Sequence, residues 1–91
     1  MKFEKTFVDD LSKDQLLVVV RLLQKKWFAA SPVAIKWGTD KTVSFIGKGF
    51  SGFLGIEQNK LWLELELSLI LKPLQNKIRQ SIQRELEALQ F

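Results

Sequence analysis

Leu61-Trp62-Leu63-Glu64-Leu65-Glu66-Leu67-Ser68-Leu69-Ile70-Leu71-Lys72-Pro73-Leu74 changes rhythm part-way along, and that change decides the fold. Every odd position from Leu61 to Leu71 is leucine, the period of a β-strand with one buried face. Beyond Pro73 the apolar positions become Leu74, Ile78, Ile82, Leu86 and Leu89, which lie on one side of a helix. Pro73 suits the first turn of that helix, where its missing N–H costs nothing. The helix is expected to run to about Gln90.

Upstream of the leucine strand, Gln58-Asn59 and Lys48-Gly49 read as two-residue hairpin loops, with Gly49 supplying a positive φ. These loops set Gly47 opposite Phe50, Phe45 opposite Gly52, and Val43 opposite Leu54. They also set Ile56 opposite Leu61, Leu54 opposite Leu63, and Gly52 opposite Leu65. All of these residues then share one face, and a slip of one residue would turn every one of them outward. Val33, Ile35 and Trp37 alternate in a preceding strand. The turn around Gly38-Thr39-Asp40-Lys41 must contain an odd number of residues to keep Trp37 and Val43 on the same face. Gly52, in mid-sheet, leaves a gap that a helix or a large side chain such as Trp27 is expected to fill.

The first third of the chain reads as a strand over Lys2–Val8, anchored by Phe3 and Phe7, with Lys5 on the same side. Ser12 and Gln15 form a capping box, flanked by Leu11 and Leu16 in the positions of a hydrophobic staple. The helix they start is expected to end near Ala29, before Ser31-Pro32. Leu16, Val19, Val20, Leu23 and Trp27 make its inner stripe; Val18 and Leu22 lie off it, available to a second helix or a partner chain. The order is β-α-β-β-β-β-α. It describes an α+β domain, an antiparallel meander sheet with two helices packed on one face.

The 91 residues make a single domain over 1–91, with 46% hydrophobic and 26% charged residues. Cysteine and histidine are absent. That excludes disulfides, thiolate chemistry and any nucleophile activated by histidine. No apolar run approaches the roughly 20 residues of a membrane span. Residues 1–5 lack the apolar core of a signal peptide, so a cytoplasmic protein of bacterial type is expected. The net charge is +4, yet Lys25-Lys26 is the only adjacent basic pair, a pattern of a solvated surface more than of a nucleic-acid site.

Little here points to catalysis. Glu64 and Glu66 point the same way on one strand, but paired carboxylates divide acid and base roles only when burial separates their pKa values, and these are expected to be solvated. Asp9-Asp10 precedes a helix, where the dipole favours negative charge, and has no further ligands for a metal. Gly47-Lys48-Gly49-Phe50-Ser51-Gly52 lacks the spacing and following helix of a phosphate loop. No enzyme activity, cofactor or metal is therefore expected.

The outward face of the sheet carries the candidate interface: Ile46, Phe53, Trp62, Glu64 and Glu66. Aromatic side chains on an uncovered face, rimmed by charge, match the centre of a contact surface, and two such faces stack into a homodimer. The ordinary alternative is that Trp62 covers Gly55 opposite it. A second candidate is an apolar pocket between helices and sheet, lined by Trp27, Trp37, Phe45 and Phe50, which would make the chain a carrier of a small acyl-like ligand; the same residues equally describe a packed core.

Over nearly its full length the chain resembles the polyhydroxyalkanoic acid system protein family, the granule-region family, and the second half carries the resemblance. Gly49-Phe50-Ser51-Gly52-Phe53-Leu54-Gly55-Ile56, Leu61–Leu67 and Leu69-Ile70-Leu71-Lys72-Pro73-Leu74 carry the likeness, with Ile78, Ile82 and Leu86 following. Trp37 before a turn and Val43-Ser44-Phe45 after it also fit. Trp62 and Phe53 depart from the polar residues expected at their positions in relatives. The resemblance implies association with polyester storage granules and supplies no catalytic residues. A non-enzymatic interaction module, with a second copy, the granule surface or a granule protein as partner, is the function expected.

Overall fold

A computed structural model of the chain describes residues 1–27, 32–38 and 41–91, apart from the side chain of Trp27. Strand β1 spans Lys2–Thr6, helix α1 Lys13–Leu22, and strands β2 to β5 span Val33–Trp37, Thr42–Gly47, Phe50–Glu57 and Lys60–Leu67. Helix α2 spans Gln75–Glu87. Among the described residues the strands form a five-stranded antiparallel sheet in the order β1-β5-β4-β3-β2. The fold is the expected α+β meander with its helices on one face.

The register is the one that the side-chain period demands. Gly47 pairs with Phe50, Phe45 with Gly52 and Val43 with Leu54. Ile56 pairs with Leu61, Leu54 with Leu63 and Gly52 with Leu65. Gly49 takes φ 89° in the β3–β4 loop, as a tight hairpin requires. At the β4–β5 loop Gln58 takes φ 55°, a cost borne by a residue with a side chain. The loop is held by its surroundings: Leu11 donates its N–H to Gln58 O, and Asn59 exchanges hydrogen bonds with Phe7. Trp37 pairs with Val43, so an odd connection of residues 38–42 joins β2 to β3; Thr39 and Asp40 lie outside the described residues.

One contiguous core joins the inner sheet face to both helices. It contains Phe3, Val43, Phe45, Phe50, Leu54, Ile56, Leu61, Leu63, Leu65 and Leu67 from the sheet. Leu16, Val19, Val20 and Leu23 enter it from α1 and its extension, and Ile82, Leu86 and Leu89 from α2 and its exit. The Ser12 capping box is present: Gln15 N–H donates to Ser12 Oγ and Ser12 N–H to Gln15 Oε1. Leu23–Trp27 continues α1 as a wider π-helical turn, and Lys26 there meets Glu85 of α2 at 3.1 Å. The expected end of this helix near Ala29 and the Trp27 part of its stripe fall outside the described residues. Leu22 packs partly against the core while Val18 stays exposed.

Several expectations are corrected at the ends of elements. β1 stops at Thr6, short of Val8. Lys5, on the buried side of β1, reaches across to α2 and donates to the carbonyls of Glu87 and Leu89 at 2.9 and 2.7 Å. It thereby satisfies carbonyls that the helix end leaves open. β5 stops at Leu67, and α2 starts at Gln75 after a 3-10 turn over Lys72–Leu74 that contains Pro73. Phe50 is the β4 partner of Leu67, so beyond Leu67 the leucine ladder meets only the Lys48-Gly49 loop and has no strand to pair with. The backbone turns on itself instead, Leu71 and Lys72 donating to Ser68 O and Leu74 to Leu71 O. Leu69 and Leu74 are consequently exposed, and only Leu71 reaches the core. α2 ends at Glu87, and Leu89 is buried beyond it.

The Trp27 side chain, the occupant expected at Gly52, lies outside the described residues, and Phe45 and the Glu64 backbone crowd Gly52 from within the sheet. A Cβ there would clash with the Glu64 carbonyl oxygen and stand 2.8 Å from Phe45 Cζ. A main-chain atom cannot yield, so Gly52→Ala is expected to lower stability by about 2–3 kcal/mol. Gly55→Ala would displace only the Trp62 ring and is expected to cost about 1 kcal/mol. Thermal denaturation followed by circular dichroism ranks the two. Lys5→Met is expected to cost about 1–2 kcal/mol in the same measurement, by leaving the α2 carbonyls without their charged donor.

Candidate functional site

The face of the sheet opposite the helices is open. On β3 and β4 it presents Ser44, Ile46, Ser51 and Phe53, and on β5 Trp62, Glu64 and Glu66, because alternate residues of a strand point to opposite sides. Cross-strand pairing puts Phe53 beside both Ser44 and Glu64, and Trp62 beside both Gly55 and Glu4. All five candidate interface residues therefore share this face. Ile46 is 65% exposed and Phe53 50% exposed.

Trp62 plays a different part from its neighbours. Its ring lies over Gly55, with Nε1 2.9 Å from where a Cβ would stand, and Gly55 is buried beneath it. Trp62 is accordingly half-buried, a cover on the sheet as much as a contact residue. Ile46 and Phe53 cover nothing of this kind.

Charges surround the apolar centre in both signs. Lys2 meets Glu64 at 3.7 Å and Lys60 meets Glu4 at 3.8 Å, both pairs in solvent. Exposed pairs like these contribute little to folding, typically under about 1 kcal/mol each. Two shallow depressions flank the Lys2–Glu64 pair. One, of about 300 Å3, takes in Met1, Ser51, Phe53 and Glu66; the other, of about 200 Å3, takes in Glu4, Glu57, Lys60 and Trp62.

The three described candidate pocket residues do not come together around one cavity. Phe45 and Phe50 pack against each other in the core, ring centroids 6.3 Å apart. Trp37 is exposed at the β2 edge, with Lys13 Nζ 5.7 Å above its ring. The Trp27 side chain lies outside the described residues. Phe45 and Phe50 also cover glycines, Phe45 lying over Gly52 and Phe50 over Gly47. Phe45, Phe50 and Trp62 thus each cover the glycine directly opposite them in the register, on both faces of the sheet.

Among the described residues no three His, Cys, Asp or Glu side chains converge on a metal site. Among the described residues no helix is long and apolar enough to cross a membrane. The model of the polyhydroxyalkanoic acid system protein family, the granule-region family, matches residues 10–89. The chain belongs to that family. No curated protein and no solved structure matches it. The family description names a storage-polyester system and no activity, and the sheet register of this member now shows where the matched residues lie: Leu54, Ile56, Leu61 and Leu63 in the core, Phe53 and Trp62 on the open face.

The turn after β5 went unread in the sequence. Leu69, Ile70 and Leu74 are exposed there, although their spacing assigned Leu69 to the strand and Leu74 to the helix. The signal was available: Gly52 opposite Leu65 sets Phe50 opposite Leu67, which leaves Leu69 beside a loop.

Trp62→Ala is expected to lower stability by about 1–2 kcal/mol, because it uncovers Gly55. Phe53→Ser and Ile46→Ser are expected to stay within about 0.5 kcal/mol of the parent in chemical denaturation. That difference separates the structural residue of the face from the free ones.

Proposed function

We propose that this member of the polyhydroxyalkanoate system is a non-enzymatic interaction module of the cytoplasm, working at storage granules, and that its open sheet face binds a second copy of the chain. One observation carries this reading: two large apolar side chains, Ile46 and Phe53, stand exposed at the middle of a β-sheet face, and neither covers a glycine as Trp62 does. Apolar side chains so placed favour removal from water.

The surrounding charge favours a copy of the same surface. The face and its margins carry Lys2, Lys36 and Lys60 together with Glu4, Glu57, Glu64 and Glu66. Around a two-fold axis each sign can meet its opposite, and an isologous contact requires a surface that complements itself. The family description supports the granule setting.

Sedimentation velocity across a concentration series tests the reading. The parent chain is expected to dimerise, and Phe53→Ser combined with Ile46→Ser is expected to weaken the dimer at least about tenfold, since each buried apolar side chain contributes about 1.5–3 kcal/mol. A parent that stays monomeric, or a dimer unaffected by the double substitution, rejects the sheet face as the contact.

A further inference from the structure

Leu69 and Ile70 are 82% and 86% exposed, side by side on a turn, with Leu74 exposed next to them. The turn is not loose chain. Leu71 and Lys72 donate to Ser68 O, Leu74 donates to Leu71 O, and Ser68 donates to Gly49 O on the neighbouring hairpin. Leu71 points back into the molecule and packs on Gly49 and the core. A fixed backbone thus holds two consecutive long apolar side chains out into water, at the end of the sheet.

The charge around this tip has one dominant sign. From Leu67 to Arg84 the chain carries Lys72, Lys77, Arg79 and Arg84 and no acidic residue. The docked β3–β4 hairpin adds Lys48. Among the described residues none of Lys48, Lys72 and Lys77 is held in an ion pair. Glu66 shares a depression with Lys72 on the sheet side.

We propose that this apolar turn, with lysines in the chain that follows it and on the hairpin docked against it, docks the protein onto an anionic lipid surface, with Leu69 and Ile70 entering the acyl region while Lys48, Lys72 and Lys77 meet the headgroups. A convex tip suits a deformable layer better than it suits a groove in another protein. Lysine stems lie along apolar surface while their ammonium groups stay in the polar layer, and an anionic leaflet attracts such groups from within a Debye length. The surface is separate from the open sheet face, so either reading can fail alone.

Flotation of the full chain with vesicles tests the docking. The parent chain is expected to float with vesicles of equal parts phosphatidylcholine and phosphatidylglycerol, and to bind pure phosphatidylcholine and high-salt samples more weakly. Leu69→Ser with Ile70→Ser is expected to lower vesicle binding about tenfold or more, and Lys48→Gln with Lys72→Gln several-fold. The altered side chains are exposed, so unchanged melting by circular dichroism shows that folding is not the cause. Val8→Ser, at a position 96% exposed near the opposite end of the sheet, is expected to bind as the parent does. A parent chain that does not float, equal binding to neutral vesicles, unchanged binding by the Leu69/Ile70 variant, or an equal loss in the Val8 variant each overturns the proposal. Self-association, measured without vesicles, reports on the sheet face independently.

Discussion

Leu61, Leu63, Leu65 and Leu67 lie under two helices on one strand, and the rest of the molecule is arranged around their burial. A chain of 91 residues buries a limited share of its surface, so it has little margin for misplacing such a face. Because strand side chains alternate, those four leucines exclude any one-residue slip against β4 or β1, and the β4–β5 hairpin fixes the register with β4. That register in turn selects which residues of β3 and β4 face water. The placement of Ile46, Phe53 and Trp62 on the open side is a consequence of the leucines facing the other way.

The glycines refine this scheme. Gly47, Gly52 and Gly55 each sit opposite an aromatic residue, and in each pair the ring occupies the space that a side chain would need. Glycine in a strand interior is unfavourable on its own, through lost packing and backbone entropy. A ring laid across it restores the packing and shields the backbone. The arrangement works on both faces, since Phe45 and Phe50 cover their partners inside the core and Trp62 covers Gly55 outside it. The outer tryptophan therefore has a structural duty, which leaves Phe53 and Ile46 as the apolar groups of that face without one.

Two surfaces emerge, different in shape and charge. The sheet face is broad and carries both signs, which suits a copy of itself. The turn after β5 is narrow, convex and basic, which suits an anionic layer. A member of this storage-polyester system family with both would have one surface for assembly and another for attachment. Lys5, bridging β1 to the end of α2, and Lys26, bridging the π-helical turn to Glu85, spend their charge inside the fold and belong to neither surface.

How much of this was legible before the structure depends on whether a residue's neighbours are local. The capping box at Ser12, the hairpin at Lys48-Gly49, the strand pairing and the shared face of Ile46, Phe53, Trp62, Glu64 and Glu66 followed from spacing, because they depend on residues two to four apart or on a short loop. The sequence by itself determined the order of elements and the register of β3, β4 and β5, with the side each of these strands buries; it did not say which strand β1 pairs with. Only the tertiary structure decided where β5 runs out of partners, that Phe45 lies over Gly52, that Lys5 closes a helix over 80 residues away in the chain, and that Leu69 and Ile70 stand in water. The physical reason is common to these cases: a side-chain period shows which way a residue points, while the presence of something to point at depends on distant segments of the chain.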